Sequence, residues 1–115
     1  IATAFKNKKT IVLAMGAHVI KVGLNPVVID LMERGIITAV AMNGAGIIHD
    51  LEIAMAGRTS EDVSSSIGNG SFGMAHETTS FISDATHLAG QNSAGLGESV
   101  GRHIIEKNLP FMDRQ

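Results

Sequence analysis

Two short glycine-bearing segments hold the groups that suit an anionic ligand. Gly16-Ala17-His18-Val19-Ile20-Lys21-Val22-Gly23 offers an imidazole and an ammonium, and Asn43-Gly44-Ala45-Gly46 offers an amide side chain among bare backbone. Glycine lets main chain come close to a ligand. The second segment opens into a helical pattern, and the free amides and dipole of a helix start suit a phosphate or carboxylate. The bland alternative is that these glycines only make tight turns between strand and helix. The polar side chains carried by both segments favour binding. Gly16, His18, Lys21, Asn43, Gly44, Ala45 and Gly46 are therefore the expected cofactor-binding residues.

Just beyond the second segment stand His49, Asp50 and Glu52. His49 and Glu52 are three apart and share a helix face. Histidine titrates near neutral pH, so His49 and Asp50 are the candidates for acid–base or substrate-orienting work. Two such side chains do not make a metal site, which would need a third from His18 or His76, and no metal is expected. His76-Glu77 begins like H-E-x-x-H, but Ser80 stands where the second His belongs. Gly68-Asn69-Gly70-Ser71-Phe72-Gly73 matches G-x-G-x-x-G, yet Val63-Ser64-Ser65-Ser66-Ile67 before it is a poor buried strand and a flexible connection is expected. Ser64, Ser65 and Ser66 have no nucleophile-elbow context. His87 and His103 read as surface or interface residues, and Glu98 with Arg102 reads as a helix-stabilising pair.

The elements that must position these groups follow from hydrophobic patterning. Residues 10–15 and 36–42 are continuous apolar runs, which is how buried parallel strands read. Between them lies a helix over 27–34, with Asn25 as its cap, Pro26 at its first position and Gly35 as its stop. A second helix over 47–56 closes at Gly57. The order is strand, loop, helix, strand, glycine turn, helix, a βαβα unit on a parallel sheet, so the fold class is α/β. Both glycine segments then leave the carboxyl ends of the strands, where open α/β sheets bind ligands. Residues 1–9 read as the tail of a helix ending in Lys6, Lys8 and Lys9. A turn capped by Thr59 or Ser60, helices over 72–88 and 94–107, and a loop over 90–93 complete the chain. Gly95, Gly97 and Gly101 weaken the last helix unless close backbone packing compensates.

Composition narrows the function classes. The chain of 115 residues suits one domain. Its net charge of -2 argues against a nucleic-acid binder held by phosphate contacts. With no cysteine there are no disulfides, thiolate metal sites or Cys nucleophiles. Aromatics are 3% and all Phe, too few for base-stacking platforms. Charged residues are only 17%, so part of the surface is expected to lie under a partner. Residues 36–48 form the longest nearly apolar stretch, well short of the roughly 20 a bilayer span needs. No export signal is visible, and a cytoplasmic protein is expected. Ile1 rather than Met opens the sequence, from which we expect a piece of a longer chain.

Residues 16–24, with Met42-Asn43-Gly44-Ala45-Gly46-Ile47-Ile48-His49-Asp50-Leu51-Glu52, resemble the deoxyhypusine synthase family. The resemblance is closest to its bacterial deoxyhypusine synthase-like branch. It runs over residues 10–107 and is specific only over 41–52. It implies a single Rossmann-like, NAD-binding α/β domain over 1–115 with additional C-terminal helices, in a homo-oligomer, a tetramer. The family oxidises spermidine with NAD and transfers a butylamine group to a protein lysine. Its second-strand turn reads Thr-Ala-Gly-Gly-Val-Glu-Glu-Asp. Asn43, Gly44 and Ala45 fall on the NAD-contacting Thr-Ala-Gly, Gly46 on the next Gly and Asp50 on the Asp. Two family glutamates become Ile48 and His49, which removes carboxylate partners for a cationic amine. The family's Trp-Gly-Lys nucleophile motif has no counterpart, since the chain has no Trp, and Lys21 is not its equivalent. The resemblance thus implies an NAD-dependent transferase acting on a small-molecule substrate other than spermidine, or a non-catalytic ligand-binding or assembly module.

Overall fold

The computed structural model describes residues 1–59 and 76–112. Within them the chain forms α1 (Ala2–Lys6), β1 (Val12–Met15), α2 (His18–Lys21), α3 (Asn25–Glu33), β2 (Ala39–Met42), α4 (Gly44–Ala56), α5 (His76–Asn92) and α6 (Leu96–Lys107). The second strand lies parallel to the first, with Val12 opposite Ala39 and Met15 opposite Met42. The expected order of strand, helix, strand and helix on a parallel pair is present, giving a mixed α/β arrangement. No helix among the described residues is long and apolar enough to cross a membrane. The serine-rich segment and the G-x-G-x-x-G match at 68–73 lie outside the described residues.

Both strands are shorter than the apolar runs that contain them. Pairing begins where Thr38 docks on Ile11. The Ile11 amide donates to Thr38 Oγ1 at 2.9 Å, and that hydroxyl donates back to the Ile11 carbonyl at 3.2 Å. The strands are not buried on both faces, as their composition had suggested. Leu13, Met15 and Val40 are half-buried, whereas Ala14, Ala39 and Ala41 are exposed and Val12 is 56% exposed. Side chains alternate across a strand, so these sets are its two faces. Helices α2, α3 and α4 meet the face of Met15, Val40 and Met42 around one cavity.

Other local expectations shift for identifiable reasons. The glycine-bounded segment 16–23 is not a plain loop: residues 18–21 wind into α2, and Gly23 leaves it at φ +81. Helix α3 starts at Asn25 itself, with Leu24 as N-cap, so Asn25 is not the capping residue. Gly35 at φ +67 ends that region as expected, since left-handed backbone favours glycine. Helix α4 starts at Gly44 rather than residue 47. The Asn43 side chain caps it by accepting from the Gly46 amide at 3.3 Å, and Gly57 at φ +70 closes it. Helix α5 runs on through Gly90 to Asn92, across the predicted loop.

The main core lies among α4, α5 and α6. Leu51, Ala54, Ala85, Val100 and Ile104 form it, with Phe81 and Ile82 packed around them. Ser99 donates its buried hydroxyl to the Ala85 carbonyl at 2.7 Å, which stitches α6 to α5. His103 is only 7% exposed and packs tilted against Phe81 with ring centroids 4.5 Å apart, so it is a core histidine and not a surface one. Close backbone packing does not compensate for the α6 glycines. A Cβ at Gly97 or Gly101 would meet nothing within 4 Å.

Candidate functional site

The register ending at Met15 and Met42 brings both glycine segments out of the sheet at one rim. Adjacent strands lie roughly 4.8 Å apart, so Gly16 and Asn43 leave as neighbours. Gly16, Gly44 and Ala45 are exposed there, and a Cβ at Gly16 or Gly44 would point into open space. On α2, His18 and Lys21 are exposed and three apart, hence on one face. Gly16, Gly44 and Ala45 thus expose backbone at this rim, and His18 and Lys21 are exposed on α2.

Gly46 is buried, its amide is bound by Asn43, and a Cβ there would lie 2.7 Å from Met42 Sδ. This glycine lets α4 sit tight on the end of β2, so its role is packing. Asn43 likewise spends its side-chain oxygen on its own helix.

Below the rim lies a cavity of about 310 Å³. The sheet lines it with Met15, Val40 and Met42. Helix α2 adds Ile20, and α3 adds Val28, Ile29 and Met32. Two polar groups enter it, Asn25 from α3 and Asp50 from α4. Asn25 Nδ2 donates to Asp50 Oδ1 at 3.2 Å and joins the two helices. Burial pushes the Asp50 carboxyl above its ordinary value, and the Asn25 hydrogen bond only partly offsets this. Asn25 is 7% exposed, and its Oδ1 has no hydrogen-bond partner.

His49 and Asp50 are not brought together. Asp50 faces the cavity, while His49 does not line it. The His49 Nδ1 lies 3.1 Å from Glu52 Oε2, as the three-residue spacing predicted. Glu52 is buried and His49 half-buried, so this is not a solvent-facing histidine. Among the described residues, no group of three His, Cys, Asp or Glu side chains is placed to hold a metal. His76 and His87 are exposed, and His87 shares a 2.9 Å hydrogen bond with Gln91.

Sequence reasoning missed Asn25. An Asn before a Pro reads as a cap, and its partner is 25 residues away in sequence. Compared with protein-family profiles, with curated proteins and with solved structures, the chain matches none of them.

Proposed function

We propose that this chain is a deoxyhypusine synthase-like, Rossmann-like domain that binds NAD at the rim shared by β1 and β2. The observation that carries the reading is the parallel register, which sets Gly16 beside the start of α4. Gly16, Gly44 and Ala45 would give a pyrophosphate its close backbone approach. His18 and Lys21 would supply basic side chains on the α2 side. Asn43 would hold the turn, and Gly46 would hold the helix against Met42. NAD bound there would supply a hydride acceptor, and the protein would supply binding and orientation.

Calorimetric titration with NAD tests this. At 100 times its Kd, NAD should stabilise the fold by about 2.7 kcal/mol. Gly44 has free space at its Cβ position, so Gly44→Val should keep the fold and lose NAD binding. Unchanged affinity in that variant, or no NAD binding by the original chain, contradicts the reading.

One observation favours binding without turnover. The two candidate acid–base groups diverge, His49 toward Glu52 and Asp50 into the cavity. NAD that binds but is never reduced by a panel of alcohols and amines sides with this non-catalytic module. Self-association is part of the proposal as well. Parallel sheets are normally covered on both faces, and here Val12, Ala14, Ala39 and Ala41 are exposed on one. A sedimentation mass equal to a single chain at all concentrations would contradict it.

A further inference from the structure

We propose that the cavity between the sheet and α3 is a binding site for a soft monovalent cation, Cu(I), held by the thioethers of Met15, Met32 and Met42 with the Asp50 carboxylate beside them. The site lies below the rim and does not rest on NAD binding.

Three observations meet there. The first is convergence: three of the chain's six methionines line this one cavity. Separate elements deliver them, Met15 from the end of β1, Met42 from the end of β2 and Met32 from α3. Met15 and Met42 are register partners on one face of the parallel pair, where neighbouring strands lie roughly 4.8 Å apart. The second is the placing of the Met42 sulfur. It lies over the first turn of α4, since a Cβ at Gly46 would come within 2.7 Å of it. Asp50 stands four residues beyond Gly46, on the same face of that helix. The third is access. Met32 is 49% and Met42 39% exposed, so an ion can reach their sulfurs from solvent. By contrast, Met55 and Met112 pack against the helical core, where gap filling accounts for them.

The donor set selects the ion. Thioether sulfur is soft, polarisable and uncharged, and it suits Cu(I) where carboxylate and water suit magnesium or calcium. Zinc sites draw on thiolate, imidazole and carboxylate, and no Cys or His lines this cavity. The charge agrees as well. Asp50 is the only ionisable group lining the cavity, and no basic side chain lines it. A monovalent cation beside this carboxylate makes a neutral pair. A divalent one would leave net charge against the aliphatic wall of Ile20, Val28, Ile29 and Val40, which is costly. Asn25 Nδ2, donating to Asp50 Oδ1 at 3.2 Å, steadies the carboxylate as hydrogen bonds to metal-ligating carboxylates do.

The test titrates Ag(I), the redox-stable counterpart of Cu(I), into the 115-residue chain in chloride-free buffer. NMR of isotope-labelled methionine methyl groups follows it, with Cu(I) under argon and Zn(II) as further titrants. Ag(I) and Cu(I) should each saturate at a single equivalent and shift the methyls of Met15, Met32 and Met42. Met55 and Met112 should stay silent, and Zn(II) should move none of them. Met15→Leu combined with Met42→Leu conserves volume, so it should keep the far-UV circular dichroism and abolish Ag(I) binding. Asp50→Asn should weaken Ag(I) binding by about tenfold through loss of the balancing charge. Ag(I) shifts confined to Met55, Met112 or the histidine rings would overturn the proposal, and this readout needs no variant. Ag(I) binding that survives the paired leucines, unchanged affinity in Asp50→Asn, or Zn(II) shifting the three methyls as tightly would overturn it too.

Discussion

The sheet-bearing part of the molecule and the three-helix core on the other side of α4 are built to different standards. In the core, Leu51 and Ala85 are fully buried and their helices interlock through Ser99 and the tilted Phe81–His103 contact. Around the sheet, Met32 is 49% exposed, one face of two short strands is open, and Asn25 carries an unmet hydrogen-bonding oxygen. Helix α4 serves both, with Leu51 turned to the core and Asp50 to the cavity. The lesson is that one helix presents a packed face to the core and a cavity-lining face to the sheet. The well-packed side fixes α4. The other side keeps unfilled space beside Asn25 and Asp50, whereas unpartnered polar atoms occur on both sides, at Asn25 Oδ1 and at the ring nitrogens of His103.

The largest effect should come from opening the core. Leu51→Ala removes a fully buried side chain, and substitutions of this kind cost about 2–5 kcal/mol. Met32→Ala, at the cavity mouth, should cost under about 1 kcal/mol, since much of that side chain is already in water. Urea unfolding of both variants checks the contrast, and equal losses would erase the distinction between the two sides.

Asp50→Asn should separate them by pH. Burial raises the folded carboxyl above its ordinary 3.8, so folding prefers the protonated form. That preference is fully present below about pH 3.8 and is lost as pH rises through the folded value. The Asn variant should therefore match the original chain in acid and exceed it in stability at neutral pH. Thermal unfolding across that range reads the sign directly. A variant less stable at neutral pH would mean that Asp50 is held ionised.

The smallest effect belongs to α6. Gly101→Ala should stabilise by about 0.5–1 kcal/mol, because the methyl enters open space and the helix gains propensity. A loss there would mean that the glycine serves close packing after all.

What the sequence disclosed was whatever is decided locally. The helix stops at Gly35 and Gly57 and the Glu98–Arg102 pair at 2.6 Å all follow from a few neighbouring residues. The rim was legible because a parallel pair must release both chains at its carboxyl end. Asn25 was not, since its role comes from Asp50, far away in sequence. His103 was misjudged because its burial depends on Phe81 in another helix. Strand burial was overestimated because apolar composition cannot tell whether anything covers the second face. Gly46 was taken for a ligand contact because a glycine needed for helix–strand approach has the same letter as one needed for a phosphate.

The account turns on NAD meeting bare backbone where the two strands end. Mapping amide NMR shifts during an NAD titration tests it most directly. The predicted result is a set of shifts confined to Gly16, His18, Lys21, Gly44 and Ala45, with α5 and α6 silent. Shifts centred on α5 and α6, or none at saturating NAD, would contradict it.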